Sequence, residues 1–399
     1  MKTVGIVAEY NPFHAGHEYH IKRTRELLGE CAIVCVMSGD FVQRGEPALF
    51  SKYARAEAAC RCGADVVIEL PLPWALASAE GFAKGAVELL EKLGAEAISF
   101  GSETGDTEAI ENAAEALLSE DFSIRIKKIL QEKEISFAAA REKALREIWG
   151  ERADIVKGAN DSLAAEYLKA IKVLGSHMEP LAVKRLGNGH DSCGEKGFLS
   201  ASEIRERFLT GEDISAFVPE RAAILYKEEE TAGRIVEKEL FETAALARLR
   251  GLDGDYFNSL PDCADGLGDR LYKASKTASS LEEVYTSAKT KKYALSRVRR
   301  AVMCALLGIG AGEKEGGVPY ARVLAANERG CGVLREISDK KTIPLITKPA
   351  EIRKYDKKLQ DLFATGVYAH DIVSLCYGNK SERKGGKEWQ TSPKIVKSE

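Results

Sequence analysis

The first 100 residues alternate short apolar runs with helix-like segments, and this alternation limits the possible folds more than any other feature. The apolar runs are TVGIVA (3–8), AIVCVM (32–37), DVVIEL (65–70) and AISF (97–100). The segments 18–28, 51–62 and 79–93 between them have helical patterns. Nearly continuous apolar runs are typical of strands buried on both faces. The order therefore predicts an α/β fold with a doubly wound parallel sheet.

A polar loop follows each of these predicted strands. The loops are EYNPFHAGH, SGDFVQRGEPA, ELPLPW and GSETGD. In open parallel sheets, ligands bind beyond the carboxyl ends of the strands. We therefore expect the functional site where these loops meet.

The rest of the chain divides into three parts. Residues 107–175 have mostly helical patterns, and a further strand is predicted at 181–186. Strand-like runs then disappear, so we predict a sheet domain at 1–210 followed by a mainly α-helical domain at 211–378. The segment 379–399 is rich in Lys, Gly and Ser, and this composition predicts a disordered tail.

Bulk composition excludes several classes of protein. The net charge is −3, so nucleic-acid binding requires a local basic patch. No apolar run approaches the roughly 20 residues that span a bilayer, and the N-terminus resembles a strand more than a signal peptide. The nine cysteines lack zinc-site spacing. These features predict a cytoplasmic protein that does not associate with membranes, and they leave its oligomeric state open.

Histidines cluster directly after the first predicted strand. His14, His17 and His20 are spaced i, i+3 and i+6, whereas helical zinc sites more often use i and i+4 with a carboxylate. A phosphate site fits better. A helix beginning after Pro12 offers free backbone N–H groups, and Gly16 allows close approach of a ligand. The alternative is a set of surface histidines at a helix start.

Two motifs carry a resemblance to a known superfamily. HAGH at 14–17 resembles the HxGH motif of nucleotidylyltransferases. SASEIR at 200–205 is similar to their ISSTxIR-like second signature, although Ala201 and Ser202 depart from it. A serine N-cap at Ser202 and Arg205 one turn later would grip phosphates.

Longer segments extend the resemblance over Met1 to roughly Tyr377. VGIVAEYNPFHAGHEYH, MSGDFVQRGEPALFSKYARAEAA, ISFGSE and PYARVLAANERG are similar to the tRNA(Met) cytidine acetate ligase family. The resemblance implies a Rossmann-like nucleotidylyltransferase domain. It implies activation of acetate by ATP and Mg²⁺ as acetyl-adenylate, with release of pyrophosphate. Transfer of the acetyl group to N4 of the wobble cytidine of elongator tRNA(Met) would then release AMP.

Two other functions compete with this one. A nucleotidylyltransferase with a small-molecule acceptor would use the same ATP site, but it needs little beyond the sheet domain. An RNA-binding protein without catalytic activity would not need intact HAGH and SASEIR motifs.

The resemblance and the loop positions together give the predicted site residues. His14, His17 and Arg44 are predicted to be catalytic. Asp40, Gln43 and Arg44 are predicted to position acetate or the cytosine, with Lys52 as an alternative charge partner. The predicted ATP-binding residues are Val7, Ala8, Glu9, Tyr10, Asn11, Pro12, Phe13, His14, Ala15, Gly16, His17, Glu18, Tyr19, His20, Gly101, Asn160, Arg185, Leu186, Ser202 and Arg205. His190 and Asp191 are candidates for assisting the amine, although a loop histidine is more often structural.

A basic segment lies in the predicted helical domain. Residues 284–300 carry six cations and no acidic residue, which predicts contact with tRNA phosphates. The cations are Lys289, Lys291, Lys292, Arg297, Arg299 and Arg300. Tyr285 and Tyr293 are candidates for stacking on a base, and Arg322 and Arg329 are further candidates for RNA contact. The alternative is a solvated helix face.

Overall fold

The computed structural model describes residues 1–132, 135–186 and 198–397. Its strands are β1 (Lys2–Ala8), β2 (Cys31–Ser38), β3 (Phe41–Val42), β4 (Glu46–Pro47), β5 (Val66–Leu70), β6 (Ala97–Ser102), β7 (Glu179–Lys184), β8 (Ala321–Asn327), β9 (Leu345–Ile346) and β10 (Lys394–Val396). Its α-helices are α1 (Ala15–Leu28), α2 (Lys52–Arg61), α3 (Leu72–Ala75), α4 (Ala79–Lys92), α5 (Thr107–Leu118), α6 (Glu120–Glu132), α7 (Phe137–Trp149), α8 (Ala159–Leu174), α9 (Ala201–Leu209), α10 (Glu220–Thr231), α11 (Lys238–Arg250), α12 (Gly254–Asn258), α13 (Leu267–Thr277), α14 (Leu281–Ala288), α15 (Leu295–Leu307), α16 (Glu328–Lys340) and α17 (Lys357–Leu375).

The central sheet has the strand order β10-β8-β5-β2-β1-β6-β7, and β9 also pairs with β8. Strands β5, β2, β1, β6 and β7 are all parallel, with Val4 opposite Ile33 on one side and Ala97 on the other. The chain runs outward from β1 to β5 and then returns to the other side of β1. This confirms the predicted doubly wound sheet, and the reversal leaves a crevice at the carboxyl ends of β1 and β6.

Both faces of the sheet are covered, as the apolar strands predicted. Along β2, Val34 and Val36 pack in the core beneath α4, α5 and α8, whereas Ile33 and Cys35 pack in the core beneath α1, α2 and α10. Alternate side chains of the strand therefore pack into two separate cores, one on each face of the sheet. Helices α11 to α15 pack with α17 around a third core.

The sheet also takes strands from beyond the predicted boundary at residue 210. Strand β8 pairs antiparallel with β5, and β10 pairs parallel with β8. The prediction that strands end before residue 211 is therefore wrong. The prediction of a disordered tail is also wrong for residues 379–397, because Glu388 is buried there and β10 completes the sheet. Within the described ranges, no helix is long and apolar enough to cross a membrane.

Candidate functional site

A cleft of about 420 Å³ opens at the carboxyl ends of β1, β6 and β7. The starts of α1, α4, α8 and α9 and the hairpin β3–β4 form its other walls. Most predicted residues line it, namely Val7, Ala8, Glu9, Tyr10, Asn11, His14, Gly16, His17, Tyr19, His20, Gln43, Arg44, Gly101, Asn160, Arg185 and Leu186. The predicted residues that do not line it are Pro12, Phe13, Ala15, Glu18, Asp40, Ser202 and Arg205. His190 and Asp191 lie outside the described residues.

The first turn of α1 fixes the two histidines of HAGH. The Nδ1 atom of His14 accepts a hydrogen bond from the backbone N–H of Gly16 at 3.0 Å, and Nδ1 of His17 accepts one from the N–H of His14 at 3.2 Å. The two rings lie 3.8 Å apart between centroids. A Cβ on residue 16 would lie 2.8 Å from the His14 ring, so glycine is required there. Since Nδ1 accepts in both rings, the proton of each neutral imidazole sits on Nε2.

Burial keeps this histidine cluster neutral. Burial, and to a smaller extent the charge of Arg185, lowers the pKa of His14 and of His20 to about 4. The pKa of His17 is lowered well below its ordinary value by burial, by the neighbouring histidines and by Arg185. At neutral pH the cleft therefore presents neutral N–H donors beside the positive end of a helix, which suits an anionic ligand.

Asn11 presents a free donor at the same end of the cleft. Its side chain is 2% exposed, and its Oδ1 accepts from the N–H of Leu49 at 2.8 Å. The Nδ2 group is buried without a partner in the described structure. A buried donor without a partner is costly, so this group indicates a place for a polar ligand.

Arg55 organises the two loops around Asn11, and sequence reasoning missed it. Its fully buried guanidinium donates to the carbonyl oxygens of Glu9 at 2.6 Å and Ser38 at 3.1 Å, and to that of Gly39. These carbonyls lie at or directly after the ends of β1 and β2. One side chain thereby ties the carboxyl ends of both strands together, although nothing local in the sequence indicates this role.

Hydrogen bonds between the end of β6 and the start of α8 build the opposite end of the cleft. Glu103 accepts from the backbone N–H of Asn160 at 3.0 Å and from its Nδ2 at 2.6 Å. Asp161 in turn accepts from the N–H of Glu103 at 3.1 Å and from the hydroxyl of Ser102. Burial alone would raise the pKa of Glu103, but the donors on Asn160 and Asp161 hold it below its usual value. Both carboxylates were missed, although Glu103 lies in the predicted loop GSETGD and Asp161 directly follows the predicted Asn160.

Gly101 lies beside these hydrogen-bonded residues. A Cβ there would lie 3.5 Å from Cγ of Arg185, which is an ordinary contact. Apart from the two chain neighbours, no atom of the described residues comes closer to that position than this. The protein itself therefore does not require glycine here, and a closely packed ligand would.

Comparison with known proteins agrees with this geometry. The family described as HIGH Nucleotidyl Transferase matches residues 1–388. A tRNA(Met) cytidine acetate ligase from Thermoanaerobacter sp. (strain X514) is 40% identical over 397 residues, with 96% of this chain and 97% of the relative covered. A ligase of the same name from Acetivibrio thermocellus is 36% identical, with 98% of each chain covered. The chain belongs to the tRNA(Met) cytidine acetate ligase family.

A solved structure supports the family assignment over the whole length. The crystal structure of Thermotoga maritima TmcAL bound with alpha-thio ATP has a TM-score of 0.93 and 30% sequence identity, and it covers 100% of both chains. The apo form of the same protein gives the same TM-score and identity. The similarity therefore includes the helical part and the late strands β8 and β10.

The second family motif lies at the start of α9, but its residues act differently from the prediction. Ser200, not Ser202, is the N-cap, and it forms a capping box with Glu203. Arg205 does not grip the cleft, since it donates to the carbonyl of Asn11 at 2.8 Å and to Glu46 at 3.0 Å. Ser200 and Ala201 at the start of the motif line the cleft, whereas Arg205 supports the histidine loop through the carbonyl of Asn11.

The hairpin β3–β4 carries two predicted residues into the cleft. Gln43 and Arg44 both line it, and the N–H of Gln43 donates to Oε1 of Glu9 at 2.8 Å. The guanidinium of Arg44 is exposed and lies 3.4 Å from Oγ of Ser202. Gly45 at the tip has φ +78°, and a Cβ there would lie 2.7 Å from the backbone at Arg299. The hairpin therefore links the cleft to the start of α15.

Asp40 does not position a ligand, contrary to the prediction. It is 3% exposed and pairs with Lys52 at 3.3 Å and with His370 at 3.1 Å. Lys52 also pairs with Glu69 at 3.0 Å and with Glu388 at 3.2 Å. We call Asp40, Lys52, Glu69, Arg322, His370 and Glu388 the buried ion cluster. A buried lysine needs such partners. The charges of Asp40 and Lys52, which suggested ligand binding, therefore join α2, α17 and the C-terminal segment.

The basic segment is partly neutralised by its own surroundings. Lys292 and Arg297 pair with Asp265 at 3.2 and 2.8 Å. Arg299 lies 3.8 Å from Glu282, and burial lowers the pKa of half-buried Arg300. Lys289 and Lys291 are exposed and form no ion pair with a described residue.

Four other predicted RNA contacts are placed elsewhere. Tyr285 and Tyr293 are 8% and 6% exposed and pack in the helical core, so neither ring presents a face for stacking. Arg322 is fully buried and donates to Glu388 at 3.2 Å. Arg329 lies 3.4 Å from Glu30, at the amino end of β2 and away from the cleft.

Proposed function

We propose that this protein is an ATP-dependent ligase that activates acetate as acetyl-adenylate. It then transfers the acetyl group to N4 of the wobble cytidine of elongator tRNA(Met). The observation that carries the proposal is the pair of neutral imidazoles, His14 and His17, whose Nε2–H groups are available at a helix N-terminus inside the cleft. Full-length similarity to ligases of that name supports the choice of substrates.

In the first step a carboxylate oxygen of acetate attacks the α-phosphorus of ATP, and pyrophosphate leaves. Negative charge builds on the phosphate oxygens, where His14, His17 and the N–H groups of α1 stabilise it without themselves changing protonation. Nδ2 of Asn11 is a further donor at this end. Gly101 and Asn160 would hold the nucleoside at the other end, and Arg44 would pair with the acetate carboxylate.

Mg²⁺ would accompany the triphosphate and neutralise the departing pyrophosphate. In the described residues no group of three or more His, Cys, Asp or Glu side chains is arranged to hold a metal. Phosphate oxygens and water would therefore supply most of the ligands, as is common for this ion.

The tRNA would lie across the basic segment with its anticodon reaching the cleft. Exposed Lys289 and Lys291 precede α15, whose backbone at Arg299 lies against the hairpin at Gly45. These cations would then bind tRNA phosphates near the catalytic cleft. A tRNA substrate, together with the free cysteines among the described residues, fits a cytoplasmic location.

Radiolabelled acetate and ATP test the proposal, with and without tRNA(Met). We expect label in N4-acetylcytidine only when the tRNA is present, detected by nucleoside mass analysis. His17→Ala should abolish the label. If ATP is cleaved but no label reaches RNA, the acceptor is a small molecule and the tRNA assignment is wrong.

A further inference from the structure

Transfer to cytidine requires a group that removes a proton from the amine. The identity of this base is inferred on the basis of the function proposed above. The exocyclic amine is a weak nucleophile, and its nitrogen becomes acidic as it bonds to the acyl carbon. The base must line the cleft and have an oxygen or nitrogen free to accept a proton. Few described residues meet both conditions.

The histidines of the cleft are poorly suited to this role. In His14 and His17 the Nδ1 atoms already accept backbone hydrogen bonds, so Nε2 carries the proton and can only donate. His20 also lines the cleft, with Nε2 2.8 Å from the hydroxyl of Ser99, and burial lowers its pKa to about 4, which makes it a weak base. These imidazoles therefore suit the stabilisation of anions better than the removal of a proton from the amine.

The other carboxylates near the cleft are already committed. Glu103 caps the start of α8 through the N–H groups of Asn160 and Asp161. Asp161 accepts from the N–H groups of Glu103 and Thr104 at 3.1 Å each. Glu46 on the hairpin pairs with Arg205. None of these three carboxylates lines the cleft.

Glu9 remains, at the carboxyl end of β1. It is the only carboxylate among the described residues that line the cleft. Its Oε1 accepts from the N–H of Gln43 at 2.8 Å, and this is the one hydrogen bond that the described structure gives its carboxylate. Arg55 anchors its backbone carbonyl at 2.6 Å. We propose that Glu9 is the general base that accepts the proton from N4 of cytidine through its free Oε2.

The step balances without any further reactant. The N4 lone pair forms the N–C bond to the acetyl carbon, the bond between that carbon and the phosphate oxygen breaks, and AMP leaves with the electron pair. The proton from N4 passes to Oε2 of Glu9. Release of AMP and product then allows the carboxyl to return its proton to water.

The surroundings of Glu9 raise its pKa above the ordinary value of a glutamate. Burial is the largest effect on the pKa of Glu9 and raises it. The Gln43 N–H, Arg44 and Arg205 lower this pKa and Glu46 raises it, and the net shift is upward. Tyr167 on α8 also lies close enough for the charge of Glu9 to add to the burial that raises the pKa of its phenol. A raised pKa brings a carboxylate nearer to the operating pH of general base catalysis.

Separation of the two half-reactions tests the assignment in full-length enzyme with tRNA(Met). Acetate-dependent exchange of pyrophosphate into ATP reports adenylate formation, and single-turnover acetylation of tRNA reports transfer. We expect Glu9→Gln to slow transfer by about 100-fold or more, at least tenfold beyond any loss of exchange. The acidic limb of the transfer pH profile should disappear in this variant.

Glu313→Gln is the matched control, because burial also raises the pKa of Glu313 but its side chain does not line the cleft. This control should keep the wild-type profile. Equal losses of exchange and transfer in Glu9→Gln would place Glu9 in nucleotide binding and overturn the proposal. Transfer at the wild-type rate in Glu9→Gln would also overturn it. The same holds if the acidic limb disappears in His190→Ala but persists in Glu9→Gln. If wild-type enzyme exchanges pyrophosphate but never acetylates tRNA, the proposed acceptor fails, independently of Glu9.

Discussion

Substitution of Glu388 by glutamine should destabilise the sheet, although this residue lies more than 300 positions after β1. The Glu388 carboxylate is 2% exposed and accepts from Tyr53 at 2.7 Å, besides pairing with Lys52 and Arg322 at 3.2 Å each. Removing one partner from a buried ion pair costs about 3–5 kcal/mol. At about 2.1 cal/mol/K per residue, the 399 residues have an unfolding entropy of about 0.8 kcal/mol/K. The melting temperature should therefore fall by about 4–6 °C.

Differential scanning calorimetry measures this change, with Glu382→Gln as the control. Glu382 lies in the same segment and pairs with Lys387, but its side chain is 27% exposed. An exposed pair contributes about 0–1 kcal/mol, so its loss should shift melting by about 1 °C or less. Equal small shifts in the two variants would refute the argument that the segment is an integral part of the core.

The pH dependence of the Glu388 effect follows from its pKa. Burial alone would raise this pKa, but Lys52 and Arg322 lower it below the ordinary value. A lowered pKa means that the stabilisation is present above the unfolded pKa and is lost as pH falls through the folded one. The difference between wild type and Glu388→Gln should therefore shrink in acid.

Three further predictions concern other parts of the molecule. Gly101→Ala should leave the melting temperature unchanged but raise KM for ATP about tenfold, or roughly 1.4 kcal/mol, because only a ligand competes for that space; unchanged KM would contradict this. Lys289→Ala and Lys291→Ala should each lower the salt slope of tRNA binding by about 1 in filter binding, and an unchanged slope would remove them from the interface. Burial would lower the pKa of His370, but Asp40 raises it above its ordinary value. Stability from that pair is therefore present below the ordinary histidine pKa and lost as pH rises through the raised one. Urea unfolding should show a larger difference between wild type and His370→Gln at low pH than at high pH.

The sheet and the position of the HAGH histidines could be predicted because the sequence patterns that indicate them are local. An apolar run such as AIVCVM is buried on both faces whatever surrounds it, and it does form β2. The HAGH segment follows β1 within a few residues, so strand, turn and helix start were visible together. The prediction that Gln43 and Arg44 face the cleft also depended only on the position of their loop after β2.

The errors concern contacts that are distant in sequence. Asp40 and Arg322 carry the charges expected of ligand contacts, but inside the buried ion cluster Asp40 pairs with the distant His370 and Arg322 with the distant Glu388. The partner of Arg322 lies in a polar segment whose composition predicted disorder, and a single buried Glu388 reverses that expectation. Composition reports the average exposure of a segment and not the few side chains that anchor it.

The buried ion cluster also determines when the enzyme can complete its folding during synthesis. Lys52 leaves the ribosome early, but Glu388, which is one of its three carboxylate partners, is made more than 330 residues later. At translation rates of about 5–20 residues per second, this delay lasts on the order of 20–70 seconds. During that interval β1 and β2 can form, but Lys52 lacks one of its three carboxylate partners. Acquisition of full activity should therefore coincide with synthesis of the last sheet strand, and not with completion of the HAGH loop.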